Sequence, residues 1–408
     1  MFPHLHIDEP RDRALVGAAD AALRAIAPVV RAFRPTPAAT ARRILLMRIE
    51  RIGDLLMTLE GIADVVAAAP GAEIDLVVGS WNADVARAIP GVHRVETLDA
   101  SWLARDGSGE NVRSLLARAR RLRPRKYDLG INFEPDIRSH LLMAATGAAK
   151  TAGFSSGGGG PLLDVSLAFD RAAHTSDNAR RLVAATLDVP PRSGPARLHL
   201  PQDATERARE ILSDVARPLV GLHASGGREI KQWPPEWFGE VAARLARERG
   251  ATVVLTGASA DRPLVDIVRR AMGSHAVVDL AGSLDLLPLG AVLEELDVFV
   301  SGDTGPMHLA AAVGTPVVAV FGPSDPVRYA PAGERHRIVR IDLPCSPCNR
   351  IRLPPARCVG HTPDCLAGID VETVCQAALG VLDAGTPARG TSPPGTWHVA
   401  RRTSFPCL

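Results

Sequence analysis

The sequence predicts an α/β protein of two Rossmann-like, doubly wound domains in tandem. Three observations lead there. Short apolar runs recur, each followed by an amphipathic segment, which is how buried parallel strands and their crossover helices read. The alternation pauses at a Pro-rich stretch and then restarts. The chain has 408 residues, 46% hydrophobic and 23% charged, enough for two or three cores.

Residues 1–40 read as a helical extension and linker. RALVGAADAALRAIAPVVRAF sets Leu15, Leu23, Ile26, Val30 and Phe33 on a rough helical stripe, with arginines on the other face. A helix packed on the body is expected. A membrane-surface helix is the alternative, and the low net charge of the segment speaks against it. Pro35 and Pro37 mark the linker.

The first domain is expected over 41–195. RILLMRI reads as a buried strand, and ERIGDLLMTLEGIADVVAAAP as a Gly-containing turn and amphipathic helix. EIDLVVGS, HRVETLD and YDLGINF are further strands, with the Arg-rich helix NVRSLLARARRLRPRKY before the last. Ser155–Pro161 (SSGGGGP) reads as a flexible loop that no strand survives. PPRSGPARLHLP, 190–201, is the composition shift. After the helix TERAREILSDV, five strands follow: PLVGLHA, ATVVLTG, AVVDLAG, DVFVSGD and TPVVAVFGP. Helices at 235–249, 260–273, 286–296 and 305–313 connect them, and one from Val371 to Leu382 closes a second domain of 196–385. Residues 386–408, rich in Gly, Pro, Ser and Thr, read as a flexible tail.

Lys+Arg is 47 and Asp+Glu 45, a net charge of +2, which disfavours a dedicated nucleic-acid binder. Mean hydropathy is +0.06, and no apolar run approaches the ~18–20 residues of a membrane span. MFPHLHIDEPRDR has no basic-then-apolar signal pattern, so the expected compartment is the cytoplasm. Only Lys126, Lys150 and Lys231 are lysines, against 44 arginines.

Tandem Rossmann-like domains are expected to face each other across a cleft, with ligands at the carboxyl ends of their strands. Four stretches fall there. In RIERIGDLLMT, Gly53 permits a tight turn and Asp54 opens a helix, as a dipole-complementing carboxylate or a catalytic one. In LHASGGREIKQWPPEWF, small residues including Ser225 let a ligand approach, and Lys231 supplies a point charge for phosphate. The bland alternative is a surface Lys beside a structural Trp233. In SGDTGPMHLAAAVG, Asp303, Thr304 and Gly305 meet a helix N-terminus, with His308 on its first turn. That is a phosphate site, an N-cap, or both. VFGPSDP would wall the same crevice through Gly322 and Pro323.

No GxGxxG follows the first strand of either domain, and no GxxxxGK[ST], HExxH or GxSxG occurs. The six cysteines all lie after residue 344. Cys345, Cys348, Cys358 and Cys365 fall within 21 residues, as a structural zinc site or as free thiols of a Cys-rich loop, 345–365.

Over about residues 43–383 the chain resembles glycosyltransferase family 9, the ADP-heptose:lipopolysaccharide heptosyltransferases. ILLMRIERIGDLLMTLEGI, GLHASGGREIKQWPPEWFGEVAARL, DLAGSLDLLPLGAVLEELDVFVSGDTGPMHLAAAVGTPVVAVFGPSDP and the CSPC loop carry the resemblance. It implies a GT-B fold, with acceptor bound mainly by the first domain and nucleotide-sugar by the second, and inverting transfer without a metal cofactor. It implies Asp54 as general base, Lys231 on the donor phosphates and Asp303 on the donor sugar. Thr304, Gly305 and His308 would line the diphosphate, and Leu280, Ala281 and Gly282 would lie near the base. Asp261 is the candidate for the ribose, Arg138 for an anionic acceptor group, and Gly53 is a second acceptor-binding candidate. The implied partners are a nucleotide-diphospho-sugar and a glycan or glycolipid acceptor, at most at the inner face of the cytoplasmic membrane. A GT-B-type sugar-nucleotide epimerase, a transferase with another donor and a non-catalytic sugar-nucleotide-binding protein are the rivals; a binding protein has no need of a base.

Overall fold

The computed structural model describes residue 2 and residues 4–103, 108–385 and 398–400. Two compact units divide at Leu198 and His199.

The first unit holds a six-stranded sheet made of β1 (Arg43–Met47), β2 (Glu73–Val78), β3 (Arg94–Thr97), β4 (Leu129–Asn132), β5 (Lys150–Phe154) and β6 (Val165–Leu167). Every pairing is parallel and the order is β3-β2-β1-β4-β5-β6. The strand order reverses between β1 and β4, so the loops leaving those two strands border the crevice where ligands of such sheets bind. Leu45, Met47 and Val77 pack with Leu115, Ala119, Tyr127, Leu142 and Met143 of the crossover segments. Sheets covered on both faces need such uninterrupted apolar strands. The expected long helix after β1 is two helices, Ile52–Met57 and Leu59–Ala68, broken at Thr58, whose hydroxyl donates to Asp54 O at 2.8 Å.

The second unit repeats the plan. Its strands are β7 (Leu219–His223), β8 (Thr252–Leu255), β9 (Val277–Asp279), β10 (Val298–Gly302), β11 (Val317–Val320), β12 (Arg337–Ile341) and β13 (His398–Ala400). They run parallel in the order β13-β12-β11-β10-β7-β8-β9, with the reversal between β7 and β10. Helices Pro235–Arg249, Arg262–Met272, Leu286–Glu294, Gly305–Val313 and Val371–Asp383 flank this sheet. The backbone of 398–400 adds an edge strand inside the expected tail; the rest of 386–408 lies outside the described residues.

Two expectations need correction. Ser155–Pro161 is not a loose loop. It forms the short helical turns Ser155–Gly157 and Gly160–Leu162, and Ser156, Gly158 and Gly159 are buried. Gly159 has φ +79°, and a Cβ there would stand 2.9 Å from His140 Cβ. These glycines permit close approach and a left-handed backbone, not flexibility. The second correction concerns the N-terminal helix, Pro10–Ala32. It docks on the turns through Gly17, Asp20, Leu23 and Ala27, whereas Leu15, Ile26 and Phe33 of the expected stripe face solvent.

Polar contacts hold that helix in place. Gly159 N donates to the buried Asp20 Oδ1 at 2.6 Å and His6 N to Ser156 O at 2.7 Å. Arg31 Nη2 donates to Pro161 O and Leu163 O at 3.0 and 2.9 Å, and Arg34 Nη1 to Asp164 Oδ2 at 2.8 Å. Asp20→Ala removes a buried acceptor and orphans the Gly159 amide. It should destabilise the first unit by ~1–3 kcal/mol, read as an earlier urea unfolding transition with unchanged far-UV signal before it.

Candidate active site

The two reversals of strand order are where the chemistry-bearing residues gather. In the first unit β1 ends at Met47 and delivers Arg48, Ile49, Glu50 and Arg51 before the helix containing Asp54. Gly53 sits inside that helix with no left-handed φ, so it does not make the turn as expected. Asp54 Oδ2 accepts from Arg51 N at 3.3 Å, the cap that a dipole-complementing carboxylate would make. Asp54 Oδ1 lies 3.5 Å from Arg48 Nη2, and the Asp54 side chain keeps 31% of its surface open. A carboxylate that caps its own helix and still faces solvent can also take a proton.

Arg48 is nearly fully buried and spans the site. Its Nη1 donates to Phe133 O at 2.5 Å, and its Nη2 stands 3.1 Å from Glu50 Oε2. The loop leaving β4 supplies Glu134, whose Oε1 accepts from Ile49 N and, at 3.1 Å, from Glu50 N. Trp81 Nε1 and Asn82 Nδ2 donate to Glu50 O at 2.9 and 2.8 Å. Three elements thus clamp the segment that positions Asp54. Arg138 is bidentate on Asp136, at 3.0 and 2.5 Å, with its guanidinium carbon 4.6 Å from the centre of the Trp102 ring. It already has one carboxylate partner and remains 42% exposed, so an acceptor anion would share it.

Sequence reasoning overlooked Arg48, Glu50, Glu134 and Asp136. The available signal was a polar residue placed directly at the exit of an apolar strand: MRIE after β1 and NFEPD after β4.

In the second unit the candidates all leave the carboxyl ends of adjacent strands. Ser225 follows β7, its Oγ 3.4 Å from Gly227 N, and the short turn Glu229–Lys231 comes next. Asp261 follows β8 and accepts from Ala258 N at 2.8 Å. Leu280, Ala281 and Gly282 follow β9 and are zipped to the loop after β8, Leu280 N donating to Leu255 O and Gly282 N to Gly257 O at 2.9 and 2.8 Å. Gly282 has φ +76°. After β10 come Asp303 and Thr304, then the helix Gly305–Val313. Thr304 Oγ1 accepts from Met307 N at 3.4 Å and lies 3.0 Å from Ser301 Oγ. The N-cap reading of Thr304 therefore holds, and His308 is buried within the same helix. Trp233 is structural, fully buried and donating to Ile369 O at 3.0 Å. His223, at the end of β7, is pushed down to about 4 by burial, so it stays neutral near pH 7.

The structure brings Lys231 and Asp303 together. Lys231 Nζ donates to Asp303 O at 2.6 Å and to Asp303 Oδ2 at 3.0 Å, with both side chains largely buried. A third partner, buried Ser324 from the turn after β11, donates its hydroxyl to the same Oδ2. Ser324 stood inside a noted stretch but was not singled out.

The cysteine loop braces that turn. Cys348 N and Asn349 N donate to Pro323 O at 3.1 and 2.8 Å, Ser346 Oγ to Gly322 O at 2.8 Å, and Asp325 N to Asn349 Oδ1 at 2.9 Å. Cys348, Cys358 and Cys365 are free thiols, with Cys345 nearby. Burial, then the neighbouring thiols, push Cys365 up to about 12. Among the described residues no group of three or more His, Cys, Asp or Glu side chains is arranged to hold a metal ion.

Glu134 is fully enclosed, and burial first, then Glu50, push its carboxyl well above the usual glutamate range. The nearby Arg48 and its backbone donor Ile49 oppose this, and Asp136 adds to it. The folded state then holds a proton that the unfolded chain releases. Stability is fully present below the ordinary glutamate pKa and is lost as pH rises through the raised native value. Glu134→Gln keeps the carbonyl acceptor for Ile49 and Glu50 and has no proton to lose. Its thermal midpoint should vary less with pH between 5 and 9 than the wild type's, with the variant gaining relative to wild type as pH rises.

Comparisons with known proteins fit this geometry. The sequence profile of glycosyltransferase family 9 (heptosyltransferase) matches residues 115–355. Lipopolysaccharide heptosyltransferase 1 of Pseudomonas aeruginosa is 30% identical over 325 residues, covering 75% of this chain and 86% of that protein. A family 9 glycosyl transferase from Veillonella parvula matches with a TM-score of 0.74 at 22% identity, covering 86% of this chain and 100% of that one. The dodecameric, iron-containing heptosyltransferase TibC of enterotoxigenic Escherichia coli, solved with ADP-D-β-D-heptose, gives a TM-score of 0.51 at 16% identity over 84% of this chain and 77% of that one. The two parallel-sheet units are those of the GT-B fold, and the chain belongs to glycosyltransferase family 9, the heptosyltransferases.

Proposed function

We propose that this enzyme moves heptose from ADP-heptose to a lipopolysaccharide-core-like glycan by single displacement with inversion. The observation that carries the reading is the Lys231–Asp303–Ser324 cluster at the strand-order reversal of the second unit, beside the N-terminus of the helix Gly305–Val313. An ammonium and free backbone N–H groups at one crevice suit a diphosphate. A carboxylate held there by a hydroxyl suits the hydroxyls of a sugar.

The reaction follows from these groups. An acceptor hydroxyl oxygen attacks the anomeric carbon of the heptose. The bond from that carbon to the β-phosphate oxygen breaks, and its electron pair leaves with the diphosphate. Asp54 receives the acceptor proton. Negative charge grows on the leaving phosphate as the bond breaks, so Lys231 and the helix end stabilise the transition state more than the ground state. The compensating positive charge comes from fixed protein groups, which is the basis for proposing transfer without a divalent metal cofactor. Leu280–Gly282 and Asp261 would meet the nucleoside, and Arg138 an acidic group of the acceptor. An acceptor of this kind is an amphiphile, which places the proposed work at a membrane face.

Asp54→Asn should lower kcat by ~10²–10⁴ while nucleoside-diphosphate binding, followed by calorimetry, stays near wild type. Turnover close to wild type would remove Asp54 from the base role. Lys231→Ala should weaken ADP binding by ~1–3 kcal/mol and lower kcat/KM further, with wild-type transfer persisting in excess chelator. Strict need for added divalent metal, together with normal ADP binding by Lys231→Ala, would overturn the mechanism. A panel of ADP-, GDP- and UDP-sugars tests the donor.

A further inference from the structure

Trp81 lies beside the proposed base with its ring partly open. β2 ends at Val78, and the short turn Ser80–Asn82 follows it at the same edge of the first sheet as the segment Arg48–Asp54. Trp81 keeps 36% of its surface exposed, whereas Trp233, which serves packing, keeps none. A single exposed apolar side chain is common. The way this one is held is not.

Three contacts fix the ring. Its Nε1 donates to Glu50 O at 2.9 Å. It also lies against Gly79, where a Cβ would collide with the indole atoms Cδ2, Cε2 and Cζ2. Gly79 has an ordinary φ of −70°, so a glycine there makes room for the ring and is not required by the turn. Ser80 N donates to Asp99 Oδ1 at 2.6 Å, which ties the turn to the loop after β3. Gripping Glu50 does not by itself call for an indole, because Asn82 Nδ2 donates to the same carbonyl at 2.8 Å. What the indole adds is a preoriented aromatic surface that a ligand can use at little entropic cost.

Position identifies the ligand. Glu50 O and Arg51 N belong to one peptide group, and Arg51 N is 3.3 Å from Asp54 Oδ2, so the indole N–H stands no more than ~9 Å from that carboxylate. A hydroxyl that gives its proton to Asp54 must come within ~3 Å of it. The ring that bears this hydroxyl is then brought up to Trp81. A pyranose carries hydroxyls around its edge and C–H groups on its faces. The edge suits Asp54, and a C–H face suits an indole, whose π face is negative.

We propose that Trp81 is the platform on which the pyranose ring of the acceptor stacks, and that it thereby sets acceptor position and specificity. The inference rests on the transferase reading above, with Asp54 as base, and adds the surface that turns the acceptor hydroxyl toward it.

The test uses the full-length protein and, as probe, a deacylated lipopolysaccharide-core fragment. Fragment binding is followed by calorimetry with ADP in place of the donor, and initial rates of transfer from ADP-heptose are measured separately. Trp81→Ala should weaken fragment binding and raise the acceptor KM ~tenfold, with ADP affinity and donor KM unchanged and the thermal midpoint close to wild type. Trp81→Phe keeps an aromatic face and loses the N–H bond to Glu50 O, and should stay within ~threefold of wild type. Unchanged fragment binding and acceptor KM in Trp81→Ala overturn the proposal. So does a Phe variant as impaired as the Ala variant, which would assign Trp81 to holding Glu50. A loss of ADP affinity or of thermal midpoint that parallels the loss of fragment binding overturns it too, as a purely structural role. Trp81-dependent binding of the fragment without transfer by wild type would sink the enzymatic reading and leave the platform. Transfer by wild type with full binding by Trp81→Ala would do the reverse.

Discussion

A sheet made only of parallel strands sends every carboxyl end to the same edge, and the remaining architecture follows from that constraint. Eleven residues scattered from Ser225 to Ser324 gather at one edge because β9, β8, β7, β10 and β11 lie side by side and point one way. The edge is also where crossover loops are free to carry polar groups, since the strands themselves must be apolar on both faces. The reversal of strand order opens the crevice, and in each unit the loops leaving the two strands at that reversal are bonded to each other.

The two units solve the same positioning problem by different means. In the first, backbone is held by side chains: Glu134, Trp81 and Asn82 grip Glu50, and Arg48 ties Phe133 to Asp54. In the second, a side chain is held by side chains, Asp303 by Lys231 and Ser324. Behind Ser324 stands the cysteine loop, bonded to Pro323 and Asp325. That bracing gives the loop a structural use that depends on no bound ion.

Much of this is legible in the sequence. The apolar runs of β1, β4, β7, β8, β10 and β11 announce themselves because strands buried on both faces leave little room for polar residues. β5 escapes notice because Gly153 interrupts it; a Cβ there would stand 2.7 Å from His140 Cε1, so packing imposes a residue that reads as a breaker. β6 is a three-residue edge strand and β12 is punctuated by arginines, so neither carries a run. In the N-terminal helix the periodicity is visible but the face that docks is not. Small residues at Gly17 and Ala27 with one buried Asp20 let the backbone approach the glycine turns, and hydropathy gives such positions little weight. At the sites, residues at strand ends stand out when they are Lys, Asp or Gly in a turn. Glu134 and Ser324 do not, because their importance lies in partners that are 84 and 21 residues away.

The Lys231–Asp303 pair means that the crevice of the second unit carries its own counter-ion. On the proposed roles, a bare inorganic phosphate arriving there must pull the ammonium from the carboxylate without bringing sugar hydroxyls to Asp303 in exchange, which leaves a buried charge poorly compensated. A sugar diphosphate brings its phosphate to Lys231 and its hydroxyls to Asp303 in the same event, so each partner is replaced as it is lost. On those roles the internal ion pair would discriminate between ligands. It would favour a ligand that carries both halves of the recognition at once over a small anion that carries one.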